Sequence, residues 1–131
     1  MSKRKSTATD ALSIADEVVD ERLRQDEVWG TQDHECVYSW ADRQRFAGQA
    51  DHWKQRNDAR VRQGRITWDG ILLEEVFEAL GEGDRELRRA ELIQVAAVAM
   101  AWVECMDRNA PPLATEVVEP VAVESDEGDA A

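Results

Sequence analysis

Three glutamates and a glutamine stand in paired spacings in the second half of the chain: Glu75-x-x-Glu78 within "ILLEEVFEAL" and Glu91-x-x-Gln94 at the head of "ELIQVAAVAMAW". Residues three apart on a helix share a face, so each pair turns its oxygens in one direction. The intervening "GEGDRELRRA" carries turn formers, and a helical hairpin folded there would set the two pairs opposite one another. Three carboxylates and an amide would then converge. Crowded like charges are costly unless their proton affinities rise or a cation sits among them. An oxygen-only donor set suits Mg²⁺, with Mn²⁺ as the alternative, since these hard ions keep several waters and commonly bind through a substrate's phosphates. A di-iron carboxylate site needs Glu-x-x-His pairs, and neither His34 nor His52 follows a glutamate at that spacing. The "HEC" of His34 and Cys36 is half a zinc pattern, with no second Cys or His pair at ligand spacing to complete it.

The elements that must position these residues are helices. Val and Ile recur at helical rather than alternating spacing, which predicts an all-α fold with no strand. A first helix is expected from Asp10 to Val28, with Leu12, Ala15, Val19 and Leu23 on one stripe. "WGTQDHECVYS" ends it. A second helix begins at Ser39 or Trp40 and reaches about Gln63, on a stripe of Phe46, Ala50, Trp53 and Val61 that Asn57 interrupts. Gly64 suits a C′ position and Thr67 an N-cap, so the third helix is expected over 68–80, with Leu72, Leu73, Val76, Phe77 and Leu80 buried. Glu75, Glu78 and Glu82 gather on its other side, which taken alone is a solvated face. Asp84 caps a fourth helix ending near Asp107, in which Gln94 is the only polar side chain between Leu92 and Val103. A helix apolar on every face must be covered all round, and a chain with four helices covers it most simply by pairing with another copy. Glu91 and Gln94 are therefore expected to be buried polar groups.

At 131 residues the chain is one domain's worth. It divides into a flexible lead at 1–9, a helical domain at 10–108 and a disordered acidic tail at 109–131, which opens on the helix-breaking "NAPPLA". A net charge of −12 argues against a general nucleic-acid binder. No apolar run approaches the roughly 18–20 residues of a membrane span. "MSKRK" leads into "STATD" rather than an apolar signal core, and Cys36 and Cys105 form no disulfide framework, so a cytoplasmic setting is expected.

The glutamate pairs resemble the E-x-x-E … E-x-x-D signature of the MazG-like, all-α nucleoside triphosphate pyrophosphohydrolases. Short single-domain members from actinobacteria and their phages look similar over "ERLRQDEVWGTQDH", "ITWDGILLEEVFEAL" and "ELIQVAAVAMAWVECMDR", three segments in the same order. Gln94 departs from the pattern, standing where most relatives have Asp. The resemblance implies a four-helix, oligomeric MazG-like bundle, a homodimer or dimer of dimers. It implies hydrolysis of a (deoxy)nucleoside triphosphate to the monophosphate and pyrophosphate, with Mg²⁺ held by Glu75, Glu78, Glu91 and Gln94 and catalysis by the three glutamates. A cationic wall for the phosphates would come from Lys54, Arg56 and Arg60, although arginines on such a face are more often merely solvated. Trp29, Gln32 and His34, in the loop after the first helix, are candidates to stack on and read a base, while Trp29 reads equally as an anchor closing the helix end. The alternative is a nucleotide-binding or helical dimerisation module, with Gln94 weakening the metal site.

Overall fold

Capping chemistry sets the boundaries of the helices in the computed structural model, which describes residues 8–111. Helix α1 spans Ala8–Trp29, α2 Trp40–Arg62, α3 Trp68–Gly81 and α4 Arg85–Arg108. The expected lead at 1–9 thus gives up its last two residues to α1, and the rest of it, like the acidic tail beyond Pro111, lies outside the described residues. Helix α1 stops at Gly30, whose φ of 69° needs the left-handed region that glycine enters without strain. The Ser39 hydroxyl opens α2 by accepting from the Asp42 amide at 3.0 Å. A Schellman turn closes it: Gly64, at φ 70°, donates to Val61 O at 3.0 Å while Arg65 N donates to Arg60 O at 2.8 Å. Asp84 caps α4 by accepting from the Leu87 amide at 2.9 Å. Thr67 precedes α3 without capping it, because its hydroxyl donates to Asp69 and accepts from Arg60 Nη1 at 2.9 Å.

Helix α3 is the centre of the fold, packed on α2 along one side and on α4 along the other. Two glycines let α2 approach. A methyl on Gly81 would lie 2.8 Å from Ala47 N, and one on Gly70 would collide with the Asn57 amide oxygen. Eleven residues separate these glycines, three helical turns, so both face the same neighbour. Ala50 and Ala79 are buried, Phe46 stacks on Phe77 with ring centroids 6.2 Å apart, and Trp68 stacks on Trp102 at 6.3 Å across the α3–α4 seam. The expected buried set Leu72, Leu73, Val76, Phe77 and Leu80 is half-buried instead, because small residues occupy the closest contacts. On α2 the stripe runs through Asn57, 5% exposed, and leaves Val61 60% exposed, a reversal of the expected roles.

Helix α1 touches only α4, antiparallel to it, with Ile14 and Val18 facing Ala96, Ala99, Met100 and Val103. The helices therefore stand in an open row, α2–α3–α4–α1. Among the described residues there is no strand, and no helix is long and apolar enough to cross a membrane. Helix α4, expected to be covered all round, has no fully buried residue: Leu92, Ile93 and Met106 are each more than half exposed, as are Leu12, Val19 and Leu23 on α1.

Candidate metal and nucleotide site

The α3–α4 hairpin brings Glu75, Glu78 and Glu91 together. One carboxylate oxygen from each lies within 4.8 Å of the others, and all three side chains are half-buried. Helix α3 supplies two of them one turn apart, and α4 supplies the third just beyond its first turn and a half. Glu75 Oε1 and Glu91 Oε1 are sealed from solvent and meet no hydrogen-bond donor among the described residues. Buried oxygens without donors need either a proton or a cation. Burial first, then the charges of Glu91 and Glu74, raise the proton affinity of Glu75. Burial acts first on Glu78 as well, followed by the charges of Glu75, Glu91 and Glu74 and a hydrogen bond shared with Glu91, pushing its pKa up to about 7. The donor set fits a hard divalent cation, whose charge would replace the retained protons.

Beside the cluster runs an open groove of about 240 Å³ between α2 and the α3–α4 hairpin. Ala47, Ala50, Phe77 and Gly81 give it an apolar wall, while Asp51, Glu78, Glu82 and Glu91 give it carboxylates. Nothing in the spacing of the glutamates points to Asp51. Its signal is positional, since Asp51 follows the buried Ala50 on α2 and so sits at the border of the packed face.

The remaining candidates are elsewhere. Gln94, expected to be buried beside Glu91, is exposed, because nothing among the described residues covers that side of α4. Trp29 is 67% exposed, and Gln32 and His34 bond to each other at 2.9 Å in an exposed loop; none of the three lines the groove. Lys54 and Arg56 are exposed on α2 and also stand outside it, with Arg56 lying over the Trp53 ring. Arg60 is committed to the α2–α3 connection through Thr67 and Asp69.

Two residues without a role in the glutamate pattern support the cluster from below. Asn57 donates its amide to Gly70 O at 2.9 Å and to Glu74 Oε1 at 2.8 Å, tying α2 to the α3 turn that carries Glu75. Glu74 is half-buried and adds its charge to the cluster's field. The chain matches no family model, no curated protein and no solved structure.

Proposed function

We propose that the chain is a Mg²⁺-dependent nucleotide pyrophosphohydrolase of the MazG-like kind, converting a (deoxy)nucleoside triphosphate to its monophosphate and pyrophosphate. The observation that carries this is the meeting of Glu75, Glu78 and Glu91 with donor-free buried oxygens at the side of an open groove. These three residues would hold the cation. When bound, Mg²⁺ supplies neutralisation of the phosphate chain and acidification of a coordinated water. Glu78 retains a proton to about pH 7, a proton whose place a cation held there would take, and a carboxylate of the three not engaged by the cation would accept a proton from water. The apolar wall of Phe77, Ala47 and Ala50 excludes water from one side of the groove and offers a flat surface to a base.

The same proposal includes a homodimer or a dimer of dimers, formed where α1 and α4 leave Leu12, Val19, Leu23, Leu92, Ile93 and Met106 uncovered, and a cytoplasmic setting, where nucleoside triphosphates are found. A second copy there would turn the open row of helices into a closed bundle. Release of pyrophosphate by the purified protein from a panel of standard and modified nucleoside triphosphates, with and without Mg²⁺, is the test. A folded protein that releases none across the panel would overturn the assignment. The exposure of Gln94 favours one second reading, a nucleotide-binding or dimerisation module with a weakened metal site. It predicts stabilisation by Mg²⁺ and nucleotide together, without turnover.

A further inference from the structure

The cations assigned to the phosphates from spacing, Lys54, Arg56 and Arg60, stand outside the groove; Arg43 does not line it either, but it lies just beyond one end, against the turn that follows the groove-lining Glu82. Arg43 lies one turn before Ala47 on the face of α2 that forms the groove wall. Its side chain passes beside Gly83, with Cδ 3.6 Å and Nη1 3.7 Å from where a methyl on that glycine would be, and Gly83 adjoins the groove-lining Glu82. Arg43 Nε is sealed from solvent without an acceptor, and no carboxylate lies within ion-pair distance of Arg43 among the described residues. The contrast with Arg45, two residues on, is informative: Arg45 is 61% exposed and paired with Asp42 at 2.8 Å. Arg43 is thus an arginine without a carboxylate partner beside a groove that carboxylates line. Arg88 adds to the positive charge at this turn, donating from Nε to Glu82 O at 3.1 Å and from Nη2 to Gly83 O at 3.4 Å, which fixes the turn on which Arg43 rests.

We infer that Arg43 is a phosphate-binding residue of this groove, taking a phosphate of a di- or triphosphate chain whose other end is held at Glu75, Glu78 and Glu91. This rests on the metal-dependent nucleotide reading above. A guanidinium matches a phosphate with two parallel N–H donors, a geometry a lysine does not reproduce. Four carboxylates line the groove, so a polyphosphate enters only when the cluster's charge is neutralised at one end and a cation waits at the other. Glycine at position 83 leaves the guanidinium room beside the backbone.

The test is calorimetric titration of the full-length protein with tripolyphosphate in the presence of Mg²⁺, with Mn²⁺ binding in the absence of polyphosphate measured alongside. Arg43→Leu weakens tripolyphosphate binding by about 10- to 100-fold, as expected for loss of a charge-assisted pair. Arg43→Lys weakens it less. Both variants keep wild-type helicity and wild-type Mn²⁺ affinity, and Arg45→Leu binds as the wild type does. Wild-type tripolyphosphate affinity in folded Arg43→Leu overturns the assignment, and so does an equal loss of Mn²⁺ affinity, which marks a structural role. If Arg43→Leu does not fold, Arg43→Lys with unchanged tripolyphosphate affinity overturns it as well. The two proposals fail separately. Arg43-dependent tripolyphosphate binding without pyrophosphate release from any nucleotide removes the hydrolase reading alone, whereas turnover by Arg43→Leu at wild-type KM removes the Arg43 assignment alone.

Discussion

Replacing Glu78 with glutamine removes one negative charge from a crowded site and leaves the side-chain shape nearly intact. In the folded protein Glu78 keeps its proton to about pH 7, against an ordinary 4.5. Below pH 4.5 the group is protonated in both folded and unfolded chains and contributes nothing to the pH dependence. As pH rises from 4.5 to 7, the unfolded chain ionises first while the folded one retains its proton, so the unfolded state binds fewer protons and stability falls. Above pH 7 the loss is complete. Each pKa unit corresponds to about 1.4 kcal/mol, which sets a ceiling of about 3.5 kcal/mol. Glu78 is only half-buried, and solvent screening lowers the expected loss to about 1–2 kcal/mol. Denaturant unfolding in the presence of a chelator, followed across this pH range, should show the wild type losing that amount and Glu78→Gln losing less. Near pH 8 the variant should be the more stable, by about 4–8 °C in Tm per kcal/mol. Adding Mg²⁺ near pH 8 should raise the wild type more than the variant, because the cation takes the place of the missing protons. Parallel stability curves for the two proteins from pH 4.5 to 8 would refute the account of Glu78 as a crowded carboxyl.

Four further outcomes follow from geometry already described. Gly81→Ala drives a methyl to 2.8 Å from Ala47 N and should cost about 1–3 kcal/mol, whereas Gly48→Ala, with nothing within 4 Å of the new methyl, should be neutral or stabilising; similar Tm values for the two would contradict the close α2–α3 approach. Asn57→Ala breaks the bonds to Gly70 O and Glu74 and should cost about 1.5–3 kcal/mol, checked by the same unfolding assay. Gln94 is exposed and does not line the groove, so Gln94→Leu should leave unchanged the Mg²⁺ concentration needed for half-maximal pyrophosphate release; a strong rise would bring Gln94 within the metal's reach. Ile93→Asp, at a position 58% exposed in the single chain, should keep its helicity and shift the mass measured by light scattering from oligomer to monomer, and an unchanged mass would remove α4 from the interface.

The boundaries at Ser39, Gly64 and Asp84 were legible because they are written in local chemistry. Ser39, Gly64 and Asp84 bond to backbone groups a few residues away, and short-range bonds need no knowledge of the tertiary fold. The meeting of Glu75, Glu78 and Glu91 was legible for a related reason, since a short turn between helices leaves few ways to arrange two pairs at helical spacing. What could not be read was set by neighbours distant in sequence. Asn57 interrupts an apolar stripe when only α2 is considered, yet is buried among the described residues, where Gly70 O and the Glu74 carboxylate accept from its amide nitrogen. Val61 was misassigned for the same reason, as the glycine-lined contact turns α2 toward Asn57 and Arg60. Gln94 sits in an apolar run, yet an apolar run indicates only that a surface seeks cover, not that the single chain supplies it. Arg43 is one of six arginines on α2 and its exit, and only the Gly83 turn distinguishes it.

The attachment of α1 to α4 alone has a consequence for how the molecule opens. Helices α2 and α3 are locked by close backbone contact, and their amides should exchange with solvent only through global unfolding. Helix α1 rests on one neighbour and bears most of its apolar side chains outward, so its amides should exchange through a smaller, separate opening. Where a second copy covers that surface, the opening of α1 requires the copies to part. If copies pair there, hydrogen exchange in α1 should slow as protein concentration rises while exchange in α2 and α3 does not, and the first helix would serve as an internal gauge of association.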